Sequence, residues 1–415
     1  MDTNNIEIMA PVGSYESLAA AINAGAGSVY FGIDKLNMRS KSSVNFTFDD
    51  LKNITQICNE NNVKSYITLN TVMYDEDYDL ACKIIDESKI SGVTAVIASD
   101  MSVIEYAREK GVEVHISTQV NVSNSGAVKY FSKFADVIVL ARELNLEQVA
   151  NITEFVKMND IRGPKGEPVK IEMFVHGALC MAVSGKCYLS LHEYNKSANR
   201  GSCLQICRRG YSVTDNETGA ELEIDNEYIM SPKDLKTIHF LDRILDAGVT
   251  VLKIEGRGRS PEYVKRTVEC YHEAVEAYQS GTFSQDKVED WNNRLAEVYN
   301  RGFWDGYYLG QKLGEWSPKY GSNATRFKKY IGDITNYFKK LSVAEVTLKA
   351  DGLSVGDDLI VIGPTTGVWE GKATEIRKEL LPVNNVEKGD IVSIPTDVVL
   401  RRSDKVYRWE TNAVE

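Results

Sequence analysis

The chain has 415 residues and a net charge of −11, from 48 Lys and Arg against 59 Asp and Glu. With 43% apolar and 26% charged residues it can bury a sizeable core, which excludes global disorder. A chain this acidic does not hold nucleic acid through its overall field, so any such contact needs a local basic surface.

Seven cysteines are an odd number and argue against a complete disulfide framework. Met1-Asp2-Thr3-Asn4-Asn5 lacks a basic region followed by an apolar one, so no signal peptide is expected. No run of about 18 apolar residues exists, so no membrane span or membrane partner is expected. These features point to a reducing cytoplasm, where clustered cysteines serve metals or catalysis.

Short apolar runs rich in Val and Ile occur at 6–9, 28–31, 65–69, 95–98, 114–117, 137–140, 171–175, 228–230 and 251–254. Nearly continuous apolarity is the pattern of strands buried on both faces. The segments between them read as helices. Ser14 can cap one that stops at Gly25, Asp49-Asp50 opens another ending near Asn61-Asn62, and 75–90 and 100–110 repeat the rhythm. About eight such units predict an α/β fold, a TIM-like (β/α)₈ barrel. An open doubly wound sheet is the structural alternative, weakened by the absence of G-x-G-x-x-G after the first strand.

The predicted division is a barrel over 1–260, carrying a cysteine-rich insertion at 177–210 and a hairpin at 211–227. A helical connector follows over 261–328. It includes Arg301-Gly302-Phe303-Trp304-Asp305-Gly306-Tyr307, which reads as an aromatic packing motif. Runs at 331–334, 343–348, 358–362, 373–376, 390–394 and 405–409, with turns at Gly356-Asp357 and Gly389-Asp390, predict a small C-terminal β-barrel domain over 329–415.

In such a barrel the catalytic face lies at the C-terminal strand ends. Those ends repeatedly carry polar residues: Asn70, Ser99-Asp100, Thr118-Gln119, Arg142-Glu143, His176, Ser231, Glu255 and Arg257. Arg39, Arg142, Lys253 and Arg257 would make a shared site cationic and suited to a carboxylate or phosphate. Alternatively, Arg142–Glu143 and Lys253–Glu255 are internal ion pairs.

Cys180, Cys187, Cys203 and Cys207 are spaced C-x6-C-x15-C-x3-C. Four thiols on one irregular loop suit an iron–sulfur cluster, a zinc ion or redox thiols, and spacing leaves the three open. Gly177, Gly185 and Gly201 would let the backbone turn closely around the sulfurs. Cys58, Cys82 and Cys270 fall in helical stretches and read as ordinary buried thiols. Residues 162–210 hold eight basic and three acidic residues, interleaved with Tyr188 and Tyr194. Such a surface can hold an RNA loop or be simple solvated charge.

The run Glu172-Met173-Phe174-Val175-His176-Gly177-Ala178-Leu179-Cys180, with Gly185-Lys186-Cys187-Tyr188-Leu189-Ser190, resembles the signature of the collagenase-like peptidases, family thirty-two of the unclassified peptidases. Met9-Ala10-Pro11-Val12-Gly13, Arg142-Glu143-Leu144, Ser231-Pro232-Lys233-Asp234-Leu235 and Lys253-Ile254-Glu255-Gly256-Arg257 resemble further blocks of that family. Despite its name, the family includes oxygen-independent hydroxylases. The resemblance implies a 4Fe–4S cluster on Cys180, Cys187, Cys203 and Cys207. It implies prephenate as hydroxyl donor, and the tRNA anticodon loop as partner, with the wobble uridine becoming 5-hydroxyuridine. On this reading Arg39, Arg142, Lys253 and Arg257 bind prephenate beside Asn70 and Gln119, and His176, Glu143 or Glu255 moves the proton. The alternatives are hydroxylation of another RNA or a small aromatic substrate, and peptidase action on small peptides or denatured collagen. Peptidase chemistry finds no motif here: His192-Glu193 and His272-Glu273 lack the second His of H-E-x-x-H, and there is no G-x-S-x-G.

Overall fold

Eight strands run parallel: β1 (Glu7–Pro11), β2 (Ser28–Phe31), β3 (Lys64–Leu69), β4 (Ala95–Ala98), β5 (Glu113–Ile116), β6 (Val137–Val139), β7 (Lys170–Gly177) and β8 (Val251–Ile254). Each pairs with its successor, and β8 pairs with β1 through Glu7↔Val251 and Met9↔Lys253, which closes a barrel of the TIM type. The computed structural model describes residues 6–41, 45–219, 221–222, 228–311 and 314–412. The N-terminal five residues, and residues 220 and 223–227 of the expected hairpin, lie outside that set; of the hairpin, Val213–Thr214 and Glu221–Leu222 pair antiparallel. No helix among the described residues is long and apolar enough to cross a membrane.

The helices follow local signals. Ser14 caps α1 (Tyr15–Asn23) by accepting from Ser17 N, and Thr47 and Asp50 form a capping box at α2 (Phe48–Glu60). The next two helices are α3 (Tyr78–Ser91), ending at left-handed Gly92, and α4 (Met101–Glu109), capped by Asp100. Then come α5 (Ser125–Phe131), α6 (Leu146–Met158), α7 (Leu189–Tyr194) within the cysteine loop, and α8 (Leu241–Asp246).

The run at 228–230 is not a strand but a turn ahead of Pro232. Three apolar residues are too few to separate a strand from a buried turn by periodicity. The neighbouring segment Asp234–Lys236 takes a strand's place for a different reason. β6 stops after three residues and leaves the upper part of β7 unpaired. Asp234–Lys236 fills that edge antiparallel (Leu235↔Gly177, Lys236↔His176), and Phe303–Trp304 adds beyond it.

The stretch expected as a helical connector belongs to the barrel. α9 (Pro261–Gln279) is its eighth helix, and α10 (Gln285–Ala296) packs outside it. Tyr263, Val264, Val268, Tyr271, Trp291, Trp304 and Tyr308 share one core with the strands and the other helices.

Inside the barrel, Met9, Tyr30, Tyr66, Ala95, Ile97, Val137 and Val251 form a separate cluster. Charged groups accompany it. Lys253 Nζ donates to Glu172 Oε1 at 2.7 Å, and both are buried. His115 lies 3.9 Å from Glu172 and 3.4 Å from Glu113, its ring tilted against Tyr66.

The C-terminal domain begins at β9 (Arg326–Phe338), three residues before the expected boundary. It continues through β10 (Val343–Leu348), β11 (Asp358–Gly363), β12 (Gly367–Lys372), β13 (Ile376–Lys378), β14 (Leu381–Val383), β15 (Ile391–Pro395) and β16 (Lys405–Thr411). These form one antiparallel sheet in the order β12-β11-β16-β9-β10-β15-β13-β14, curled around a shared core that includes Ile331, Val346, Val361, Trp369, Ile376, Val392 and Val406. β12 had no sequence signal because Gly367 and Gly371 interrupt its apolar pattern. The domain docks on the flank of the barrel. Gly367 lies against the backbone of Ala19 and Ala20 in α1, where an added Cβ would come 2.8 Å from Ala20 N. Glu370 takes Lys265 and Arg266 of α9 at 3.0 Å each.

Candidate functional site

A cavity of about 250 Å³ opens at the C-terminal ends of the barrel strands. Arg39, Asn70, Gln119, Arg142, Lys253, Glu255 and Arg257 line it, and so do all four cysteines of the loop. Two segments far apart in the chain thus meet: the strand ends supply charge and the β7–β8 connection supplies sulfur.

Glycines bring the cysteine loop close. Gly177 has φ +104°, and a Cβ there would sit 2.3 Å from Glu255 O; Gly201 has φ +80° and packs against Ser40 and Asn37. Cys187 N donates to Asn199 Oδ1 at 3.1 Å, and Leu204 N donates to Ser190 Oγ at 3.0 Å, which ties the two cysteine pairs together. Cys180 is exposed and the other three are partly buried. Burial pushes the Cys207 thiol up to about 11; Arg208 opposes this, and the other three sulfurs add to it. Among the described residues no three His, Cys, Asp or Glu side chains gather as around a single metal ion.

The expected pairs Arg142–Glu143 and Lys253–Glu255 are not formed. Lys253 is neutralised by Glu172, and Glu255 takes Arg39 Nη2 at 2.8 Å. Burial alone would raise the Glu255 carboxyl, but Arg39, Arg142 and Arg257 outweigh it and hold it at about 2. Arg142 lies over the Phe174 ring, 3.7 Å from its centroid, and donates through Nη1 to Ala178 O; its Nε is buried with no hydrogen-bond partner. Arg257 donates to Asn37 Oδ1 and Thr68 Oγ1, both neutral, and burial lowers it to about 10. Asn70 Nδ2 donates to Gln119 Oε1 at 3.1 Å, so these two amides brace one another.

Two expected site residues are placed elsewhere. Glu143 is exposed on the turn after β6 and does not line the cavity. His176 is 1% exposed among Tyr263, Tyr271 and Phe303, on the outer face of β7. A β-bulge explains this. Lys253 pairs with Phe174 and Ile254 with His176, skipping Val175, so the alternation reverses and His176 turns away from the barrel axis.

Burial pushes the His176 imidazole down to about 3, with Lys236 and Arg259 adding to it. An unfolded chain keeps the ordinary value near 6.5, so below that pH the unfolded state binds the extra proton. Stability therefore falls with pH through this window, by up to about 1.4 kcal/mol per pH unit. Urea unfolding at pH 7 and pH 5 should show that slope, and His176→Phe should flatten it. An unchanged slope would assign the titration to another group.

Sequence reading missed three cations of the lining: Arg208, Arg259 and Arg301. Arg208 is held by Ser231 Oγ, Pro232 O and Leu179 O, while Arg301 takes Asp234 at 3.1 Å. Arg259 continues the two-residue spacing of Lys253, Glu255 and Arg257, a signal that was available. Arg301 sat in a motif read for its aromatics. Ser231, one of the polar strand-end residues, serves as a partner of Arg208, and Asp100 as a helix cap.

A family model described as Peptidase family U32 matches residues 13–318. The chain is 58% identical over 410 residues to a protein of Porphyromonas gingivalis named collagenase, covering 99% of each. It is 31% identical to tRNA hydroxylation protein P1 of Bacillus subtilis, over 87% of this chain and 84% of that one. It is 32% identical to the 23S rRNA 5-hydroxycytidine C2501 synthase of Escherichia coli, over 86% of this chain and 53% of that one. Among solved structures, dihydrodipicolinate synthase from Oceanobacillus iheyensis is similar over 71% of this chain and 80% of that one, at 10% identity and a TM-score of 0.36.

Proposed function

The chain belongs to peptidase family U32, and we propose that it is an oxygen-independent RNA hydroxylase of the cytoplasm. In this reading it converts the wobble uridine of tRNA to 5-hydroxyuridine, with prephenate as hydroxyl donor and a 4Fe–4S cluster on Cys180, Cys187, Cys203 and Cys207. The observation that carries it is the joint lining of one cavity by four thiols and seven cations, with Glu255 as the one carboxylate among the described lining residues.

The donor set suits the cluster. All four thiols face the same cavity, and Cys207 feels the charge of the other three, so the set offers the four thiolates that a 4Fe–4S cluster takes. When bound, the cluster supplies redox or Lewis-acid iron beside the cavity. The chain's own residues supply the rest. Lys253 and Arg39 are already neutralised by Glu172 and Glu255. Arg142 and Arg257 hydrogen-bond only to neutral partners and share the single charge of Glu255 with Arg39, which leaves net positive charge for a dicarboxylate. Of the three expected proton carriers, Glu255 alone reaches the cavity, as an ionised carboxylate that can accept a proton.

A second reading, a collagenase-like peptidase, is favoured by the name of the Porphyromonas gingivalis relative. Against it, no serine, threonine or cysteine among the described lining residues is hydrogen-bonded to a histidine or a carboxylate. Mass spectrometry of tRNA and rRNA nucleosides from cells lacking the protein decides between the readings, alongside gelatin degradation by the anaerobically purified protein. Lost 5-hydroxyuridine with no gelatin cleavage supports the hydroxylase; cleavage with unchanged nucleosides supports the peptidase. Arg142→Ala should cut 5-hydroxyuridine about tenfold or more while iron content stays unchanged, consistent with about 1.4 kcal/mol or more of lost donor binding. Unchanged modification in that variant removes Arg142 from the site.

A further inference from the structure

Behind the wall that carries the cysteines lies a second depression, of about 380 Å³. Three segments build it: 35–41 after β2, 71–77 after β3, and 191–202 of the cysteine loop. The backbone joins them, with Lys41 N donating to Gly201 O at 3.2 Å and Val72 N to Asn199 O at 3.0 Å. Lys35, Lys41 and Lys196 line the depression with exposed side chains. None of the three has a carboxylate within ion-pair distance among the described residues, although acidic residues outnumber basic ones in the whole chain. On its floor Arg200 stacks over the Tyr74 ring at 3.7 Å and is neutralised by Asp77, so it offers a flat surface more than a charge. Tyr74 itself is 54% exposed.

The depression and the catalytic cavity share their walls residue by residue. Arg39, Asn70 and Cys203 line the cavity, while their chain neighbours Ser40, Thr71 and Ser202 line the depression. A polymer lying in the depression is therefore separated from the cavity by one layer of residues. Regularly charged, base-bearing polymers fit this combination: partnerless cations meet phosphates, and a stacked guanidinium–phenol platform meets a base. An acidic peptide would use the lysines but has no group for the platform.

We propose that this groove binds the phosphodiester backbone of single-stranded RNA next to the nucleotide that enters the cavity. The proposal rests on the RNA reading above and adds where the strand runs. It is tested with the full-length, iron-loaded protein and a fluorescein-labelled single-stranded oligouridylate, followed by anisotropy over a salt series. The triple variant K35Q/K41Q/K196Q should bind about tenfold more weakly, and the slope of log affinity against log salt should fall by about 2. Its iron content should be unchanged, because none of these residues lines the cavity. Equal affinity and slope in wild type and variant would overturn the groove. Displacement of the RNA by polyglutamate as readily as by unlabelled RNA would overturn the RNA assignment. Lysine-dependent binding in a protein whose deletion leaves 5-hydroxyuridine intact would support the groove and overturn the reaction. Unchanged binding by the variant with lost 5-hydroxyuridine on deletion would do the reverse.

Discussion

Replacing Cys203 by alanine is expected to strip the proposed cluster and abolish the RNA modification in one step. Cys203 lines the cavity together with the other three thiols, and its sulfur lies close enough to Arg39 for their charges to interact. Losing one of four thiolates would leave such a cluster one protein ligand short. Visible absorption and iron analysis after anaerobic reconstitution read the first effect, and tRNA nucleoside mass spectrometry the second. Cys58→Ala is the contrast. Its thiol is fully buried in α2, and burial pushes it up to about 12, so it takes no part in metal chemistry. That variant should keep full iron and lose only about 1 kcal/mol of stability through a small cavity. Full iron content in Cys203→Ala would remove Cys203 from the ligand set.

The second large effect lies inside the barrel. Lys253→Met should destabilise the fold by about 3–5 kcal/mol, because it strands Glu172 in the barrel interior. Glu172 is 0% exposed; its Oε1 accepts from Lys253, and its Oε2 has no hydrogen-bond partner. Removing the cation leaves a buried carboxylate with His115 at 3.9 Å. Replacing both partners removes the uncompensated charge, so Lys253→Met with Glu172→Leu should recover most of the loss. Urea unfolding of the two single variants and the double variant closes the cycle. Additive losses would mean that the two side chains do not interact.

Much of the barrel was readable from the chain because parallel strands buried on both faces leave unbroken Val and Ile runs. The same criterion failed at 228–230, where apolarity belongs to a turn, and at β12, where two glycines hide a strand. Polar residues at strand ends were a sound signal for the cavity in the cases of Asn70, Gln119, Arg142, Glu255 and Arg257. It misled at His176, because a bulge reverses which face a residue takes, and no one-dimensional pattern records a bulge. Arg208 and Arg301 were invisible for another reason. Arg301 is brought there by the pairing of Phe303–Trp304 with Asp234–Lys236 and of that segment with β7, while Arg208 is aimed by Ser231, Pro232 and Leu179, far from it in the chain. Glu172 stood within a quoted run, yet its value as the partner of Lys253 depends on β7 and β8 being neighbours across 81 residues of chain.

The docking of the C-terminal sheet has a consequence for the order in which the molecule is made. α1 and α9 are the first and last helices of the barrel, and they pack against each other where β8 closes onto β1. Gly367 rests on α1 and Glu370 grips α9, so β12 lies across that seam like a clasp. Synthesis runs from the N-terminus, so the clasp arrives only after both edges of the seam have left the ribosome. A chain ending before β9 would have its barrel strands complete and the face of Ala20, which Ile360, Ile362 and Val368 cover in the whole protein, open to water. Strands made after the barrel thus fasten its first helix, and a chain cut before them is marked by an unsealed seam on the barrel's flank.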